Sequence, residues 1–337
     1  MRRFFILPGV LVGLSLLFPA YGEDKKQTPK PKVQKIKTAE PTEAAKDPDF
    51  AIQGEYAYSE NGKKIGLQVV AQGGGQFNVR VLKGGLPGDG WDGKTEVAGT
   101  MSATDGKLVM KDKDFGGSFK DGKITLTLEN AVLPLKKVDR VSPTLGKAAP
   151  EGAAVLFGDE KDAAKWNGGN VVKLTDGTFL GMGVTSKETF GDFSAHIEFR
   201  LAYQPNDRGQ GRSNSGFYFQ NRYELQVLDS FGLKGENNES GGIYTQHKPS
   251  VNMCFPPMVW QTYDVEFRAA KFKDGKKVTN ARATVLHNGV KVQDDVEFTK
   301  ETGGGQNEAD TPGAIQLQNH GDPLVYRNIW VKAVGAK

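Results

Sequence analysis

Residues 212–230 read RSNSGFYFQNRYELQVLDS, and their periodicity decides the fold class. Two runs alternate on a two-residue period, one ending near Phe219 and one opening at Tyr223, with a tight turn at Gln220–Asn221. In the second run Tyr223, Leu225 and Val227 point one way, and Glu224 and Gln226 the other. In the first, Phe217 and Phe219 oppose Arg212, Asn214, Tyr218 and Gln220. Half-buried antiparallel strands produce this pattern. A routine solvent face mixes Lys, Thr and Glu. This one collects Arg, Asn, Tyr, Glu and Gln, the side chains that hydrogen-bond a polyhydroxylated ligand.

Outward from this pair, strands follow one another from Ala153 to the end and helical periodicity is nearly absent. The run DFSAHIEFRLA (Asp192–Ala202) sends Phe193, Ala195, Ile197, Phe199 and Leu201 inward, leaving Ser194, His196, Glu198 and Arg200 outside. Further strands are expected at Gly242–Tyr244, Thr262–Phe272, Ala314–Gln318 and Val325–Ala333, with hairpin turns at Asp176-Gly177, Asp274-Gly275 and Asn288-Gly289. About ten antiparallel strands over residues 153–337 predict an all-β, two-sheet jelly-roll sandwich. Residues 50–140 predict a separate small β-rich unit, with strands at Ile65–Ala71, Gln76–Leu82, Lys107–Met110 and Lys123–Leu128. Residues 141–152 (VSPTLGKAAPEG) read as a linker. The loop around Trp91 lacks the Gly-Lys-Ser/Thr ending of a phosphate loop. A packing role for Trp91 is favoured over stacking on a sugar ring.

The N-terminus bounds where the protein works. Arg2 and Arg3, the apolar run Phe4–Phe18, and the small residues Ala20 and Gly22 form a signal peptide over residues 1–22. The run is shorter than the ~20 residues a membrane span needs. Export to the periplasm or outside the cell is the expectation, with no integral membrane segment after cleavage. Residues 23–49 are rich in Lys, Pro, Glu and Thr without an aromatic before Phe50, which predicts a disordered tether. Of the net charge of +4, the leader and this tether carry three, so residues 50–337 hold +1. That excludes a nucleic-acid surface. Cys254 is the one cysteine, so no internal disulfide forms, and its apolar setting NMCFPP reads as core rather than nucleophile.

Three polar faces carry the candidate chemistry: the two runs above and AIQLQNHGDPLVYRNIWV (Ala314–Val331), where Gln316, Gln318 and His320 share a side. Glu224, Gln226, Gln316, Gln318 and His320 would line one concave sheet. His196 and His287 read as surface residues, while His247 could reach a pocket rim and His320 could aim an imidazole into a cleft. Glu224 and Asp229 are the acid/base pair of choice, although strict alternation puts them on opposite faces unless a bulge intervenes. The spacing Glu224-x-Gln226-x-x-Asp229 is similar to the bulged E-x-D-x-x-E strand of laminarinase-type retaining glycosidases, with its middle Asp replaced and its last Glu shortened. A two-carboxylate hydrolysis needs about 5–5.5 Å between carboxyls.

Taken in order, VLFGDEKDAAKW, DFSAHIEFRL, RSNSGFYFQNRYELQVLDS, GGIYTQHKP, PPMVWQTYDVEF, VLHNGVKV and PGAIQLQNHGDPLVYRNIWV resemble the 3-keto-disaccharide hydrolase family over roughly residues 153–333. Two departures stand out. Asn319 sits where the family usually has Asp before His-Gly, and Gln261 where it has Asn between Trp and Thr. The resemblance implies a concanavalin-like jelly roll and a hydrolase acting on glycosides oxidised at C3. A C3 ketone acidifies the C2 proton, so one base, one acid and an oxyanion donor suffice. In that chemistry Glu224 and His320 take the acid and base roles, with Asp229 a further candidate. Arg212, Asn214, Tyr218, Gln226, Tyr244, Gln318 and Arg327 would hold substrate, Arg327 serving equally as a brace. A divalent ion polarising the C2 and C3 oxygens would take Glu224, Asp229 and His320 as ligands. The partner is an oligosaccharide or glycoside. The competing readings are a non-catalytic carbohydrate-binding module on the same face and a conventional retaining glycosidase using Glu224 and Asp229.

Overall fold

The alternating strands close into a barrel and a sandwich in the computed structural model, which describes residues 35–112, 115–128 and 131–335. The five-stranded sheet of the sandwich runs Trp166–Asn167, Val184–Phe190, Gly313–Leu317, Asn214–Phe219, Tyr223–Leu228. The eight-stranded sheet runs Val171–Leu174, Gly177–Leu180, Val325–Ala333, Phe193–Arg200, Trp260–Arg268, Ala281–His287, Val290–Phe298, with Ala154–Phe157 paired beside Val325–Ala333. Their inner faces supply one core, in which Phe217, Phe219, Leu225 and Ile315 meet Phe193, Ile197, Phe199, Val265 and Phe267. Aromatic edges interlock there, Phe219 lying 5.9 Å from Phe193 and 5.3 Å from Phe267. The sandwich is the expected all-β jelly roll. The run expected at Thr262–Phe272 divides into Trp260–Arg268 and Lys271–Lys273. Gly242–Tyr244 makes a bridge to Leu225 rather than a full strand.

Upstream, eight strands between Gly54 and Val138 form a closed barrel among the described residues. Four of them, Gly54–Glu60, Glu96–Ser102, Phe115–Lys120 and Ala131–Val138, escaped the sequence reading. Their reasons are local: FGGSFK is Gly-rich, and AVLPLKKV contains Pro134, a residue that reads as an edge or a break. Closure lets these weak strands pair on both sides.

The expected disorder of residues 23–49 does not hold from Lys35 onward; residues 23–34 and the leader lie outside the described residues. Pro41–Ala44 and Pro48–Ile52 are short helices with Pro at their starts and Glu40 and Asp47 capping them. Ala44 is buried in the barrel core, and Thr38 pairs with Tyr203. Lys-rich composition masked these contacts because its apolar residues are few but well placed. Residues 141–152 are irregular, yet they strap the eight-stranded sheet: Ser142 bonds Thr262 at 2.6 Å, and Lys147 pairs with Asp264 at 2.8 Å.

Barrel and sandwich exchange core residues. Tyr203 leaves the sandwich to pack in the barrel core at 5.0 Å from Phe50, and its hydroxyl donates to Asp47 at 2.9 Å. Val70 leaves the barrel to join the sandwich core, fitting against Gly232, where any side chain would collide with it. The two bodies are therefore expected to unfold together. Tyr203→Ala should cost about 3–5 kcal/mol and shift one cooperative denaturation transition reported by both barrel and sandwich probes. A barrel transition that moves alone would refute the shared core.

Candidate functional site

Asn214, Gly216 and Tyr218 project from one strand of the five-stranded sheet, and Glu224 and Gln226 from its neighbour, opposite the core residues Phe217, Phe219, Tyr223 and Leu225. Gln220 and Asn221 turn the chain with φ of 54° and 57°. The Gln220 amide donates to the Phe190 carbonyl at 2.8 Å and accepts from Arg222 at 2.9 Å, which holds this unusual conformation at the turn and not on the polar face. The face is roofed, not open. Residues 241–244 bond the edge strand through Gln226 and Glu224, and the loop Thr302–Gly305 caps it.

Glu224 is 2% exposed and lies over Gly216, where any side chain would strike its carboxyl. Its backbone N–H donates to the Thr302 hydroxyl at 2.8 Å. Its Oε2 is 2.8 Å from the Tyr218 hydroxyl, which also lies 2.8 Å from the Gly303 carbonyl and receives the Gln318 Nε2–H at 3.2 Å. Burial pushes the Glu224 carboxyl up to about 7, outweighing the Tyr218 hydrogen bond. No cation pairs with it among the described residues. A carboxyl poised there can donate or accept a proton near neutral pH.

Two amide oxygens beside it lack donors. Both Nε2 protons of Gln226 are committed, to Gln210 Oε1 at 3.2 Å and Asn214 Oδ1 at 3.1 Å, so its orientation is set and its Oε1 is buried without a donor. Asn214 in turn donates to the Gln210 carbonyl at 2.9 Å. Gln318 is oriented by Tyr218 and leaves its own Oε1 buried and unpaired. An unsatisfied buried acceptor costs roughly 1–3 kcal/mol, and ligand hydroxyls would relieve both. Tyr244, half-buried, borders the face beside Gly303 and donates its backbone N–H to the Glu224 carbonyl.

Other expected site residues stand elsewhere. Ser213 has φ of 41°, which breaks the alternation and turns Arg212 away from Asn214. Arg212 and Asp229 form a sealed pair at 2.6 Å, and Arg212 reaches the barrel at the Ala71 carbonyl. The pairing of Tyr223–Leu228 shows no register shift, so no bulge brings Asp229 beside Glu224. That removes the two-carboxylate arrangement. Arg327 lies on the other sheet, 2.7 Å from Glu198 and stacked 4.0 Å over Trp260. A register shift with Asn328 at φ 43° aims both Arg327 and Asn328 at that one carboxylate. His320 is exposed in the loop after Gln318 and makes no hydrogen bond, ion pair or ring contact among the described residues. It is not joined to Glu224. Glu224, Asp229 and His320 are thus three separate groups, and no cluster of three His, Cys, Asp or Glu able to hold a metal occurs among the described residues. The ligand set Glu224, Asp229 and His320 is therefore not assembled.

The remaining histidines also differ from expectation. His196 is buried, with Nδ1 3.0 Å from Asp264 and Nε2 3.5 Å from Glu198; burial disfavours its charge, but the two carboxylates raise it overall. His287 is buried against Gln261 at 3.0 Å and pushed down to about 3 by burial alone. Gln261 is therefore a core residue. His247 bonds the Glu297 carbonyl at 2.7 Å, away from Glu224. Cys254 is buried, and burial lifts its thiol to about 12. Trp91 packs under the Arg80 guanidinium at 4.6 Å.

Sequence reasoning missed Gln210 and the cap Thr302-Gly303-Gly304-Gly305. The glycine run was the available signal for the cap, as Gly216 inside a strand was for the close approach of Glu224. A cleft of about 550 Å3 lies between the barrel and residues 232–239, lined by Arg80, Glu96, Val109 and Met110; none of the residues around Glu224 lines it.

Among solved structures, a candidate glycosyl hydrolase from Parabacteroides distasonis ATCC 8503 is 34% identical, the match covering 55% of this chain and 85% of that one with a TM-score of 0.49. A second from the same organism is 19% identical over 54% of this chain and 99% of that one, with a TM-score of 0.37. No curated protein matches. The family described as the 3-keto-alpha-glucoside-1,2-lyase-like domain matches residues 152–332, the whole sandwich with every residue of the Glu224 site. By that match, which spans more than half of its length, the chain belongs to the 3-keto-alpha-glucoside-1,2-lyase-like family.

Proposed function

We propose that the protein cleaves 3-keto-glycosides, within the glycoside-cleaving class its family defines. The observation that carries this reading is the buried Glu224 carboxyl, raised to about 7 and flanked by the donorless oxygens of Gln226 and Gln318. A binding module gains nothing from a buried, neutralisable carboxyl with no cation beside it among the described residues. A proton-transfer enzyme does. The absence of a second carboxylate at the site fits a route that needs only one.

In that route a base removes the C2 proton and the electron pair moves toward the C3 ketone as an enediolate. The enediolate then expels the C1 oxygen substituent, which takes a proton from an acid. Water adds at C1 and a proton returns to C2, so the net change is hydrolysis. Glu224 is the proton donor to the leaving oxygen. The Oε1 atoms of Gln226 and Gln318 accept from sugar hydroxyls, and Asn214 and Gln210 hold Gln226 in that orientation. His320 is proposed as the base on its place two residues after Gln318, whose side chain reaches Tyr218 beside Glu224. Export through the residue 1–22 leader completes the proposal. Among the described residues no helix is long and apolar enough to cross a membrane.

A 3-keto-aryl glucoside should be cleaved while its unoxidised parent is not, and cleavage of both would reject the keto requirement. Glu224→Gln should lower kcat at least 100-fold with a melting profile matching the wild type at pH 4.5, where Glu224 is protonated, and retained turnover would reject the assignment. His320→Ala should also abolish turnover; near-normal rates would move the base elsewhere. Stability supplies an independent check. Because burial raises the folded carboxyl to about 7 from an ordinary value of 4.5, its contribution is full below about 4.5 and is lost as pH rises to about 7. Relative to Glu224→Gln, the wild type should lose roughly 3 kcal/mol over that window. Denaturant titrations of both proteins at pH 4.5 and 8 measure the difference, and parallel curves would refute the raised pKa.

A further inference from the structure

Tyr218 stands where the proton inventory of the site is decided. Its hydroxyl has one proton to give, yet it lies 2.8 Å from two oxygens, Glu224 Oε2 and the Gly303 carbonyl. A backbone carbonyl only accepts. If Glu224 were ionised, two acceptors would compete for one proton, and one would face the phenol oxygen at contact distance with nothing between them. If Glu224 is protonated, each position has its partner: Glu224 O–H donates to Tyr218, Tyr218 O–H donates to Gly303, and Gln318 Nε2–H fills the remaining acceptor site at 3.2 Å.

The cap makes this arrangement rigid. The Thr302 carbonyl accepts the Gly305 N–H at 3.0 Å, closing a tight turn that aims the Gly303 carbonyl at the phenol. Gly304 has φ of 78°, and a Cβ there would stand 3.0 Å from the Tyr218 hydroxyl. Only glycine lets the loop come this close. Among the described residues no ion pair reaches Glu224. The titratable groups facing Glu224 are phenols: Tyr218 itself, Tyr244 at the edge, and Tyr326, whose hydroxyl bonds Ser215 at 2.7 Å. The cap and the strand Gly313–Leu317 present no ionisable side chain to it.

We propose that Tyr218 is a positioning residue that holds Glu224 protonated, accepting the carboxyl proton while giving its own to the Gly303 carbonyl. Glu224 then begins a reaction cycle as an acid, its proton directed by the phenol. The raised carboxyl is consistent with this, and burial keeps the Tyr218 proton in place well above the usual phenol range. The catalytic consequence rests on the glycoside-cleaving reading above, but the proton arrangement does not.

The two arrangements predict opposite signs. A phenol that accepts stabilises the acid, so Tyr218→Phe should lower the Glu224 pKa, with the ionisation constant rising on the order of tenfold. A phenol that donates stabilises the carboxylate, so the same substitution should raise it. The carboxyl carbon of Glu224 in isotope-labelled full-length protein, assigned by its loss in Glu224→Gln, reports the titration by NMR without any substrate. A pKa that rises or stays put overturns the proposal, whether or not the protein cleaves 3-keto-glycosides. Should Tyr218→Phe fail to fold, neutron diffraction from deuterated wild-type crystals at pH 6 decides. Deuterium on Glu224 Oε2, with the Tyr218 deuteron toward Gly303, is expected; a Tyr218 deuteron aimed at Glu224 overturns it.

Discussion

A carboxyl without a counterion among the described residues, pressed between a glycine and a capping loop, is the constraint around which the rest of this molecule is arranged. Gly216 opens the space beneath Glu224, and the Thr302–Gly305 turn closes the space above it. An arginine at hydrogen-bond distance would hold such a carboxyl ionised. The two nearest in sequence are committed elsewhere: Arg222 to Gln220 and the Thr311 carbonyl, and Arg212, turned aside at Ser213, to Asp229.

Elsewhere several buried charges are paired. Asp229 has Arg212, Glu55 has Arg140, and Glu198 is shared by Arg327, Asn328 and His196. Removing one partner of a buried pair leaves an uncompensated charge, which is why such groups come in sets. Glu198 and its partners hold the residue 141–147 strap to the outer sheet through the Gly146 N–H. Glu224 has no such partner among the described residues, and it differs from the other buried carboxyl without an ion pair, Asp49, which accepts from the Gly75 N–H at 2.9 Å, in having two donorless oxygens beside it.

The barrel is part of the same construction. Arg212 reaches from the end of the strand that carries Asn214 to the Ala71 carbonyl, while Tyr203 and Val70 trade cores. The position of the Glu224 strand pair is therefore braced from the barrel side. Residues 50–140 read in isolation as a separate unit of unassigned role, because sequence alternation reports which residues face inward but not which core they enter.

Period-two alternation was enough to derive the sandwich, the inward Phe217, Phe219 and Leu225, and the shared face of Glu224 and Gln226, since successive side chains on a regular strand must oppose one another. It failed wherever the backbone left regularity, at Ser213, at Asn328 and beyond Gln318, and there Arg212, Arg327 and His320 went to places no pattern could show. It also could not find Gln210 or the Gly303 carbonyl, which lies 85 residues from Tyr218 along the chain. The sequence by itself determined which side of each strand is polar. Only the tertiary structure decided which polar groups are buried together, because desolvation and hydrogen-bond partners depend on segments far apart in the chain, and those set the protonation of Glu224.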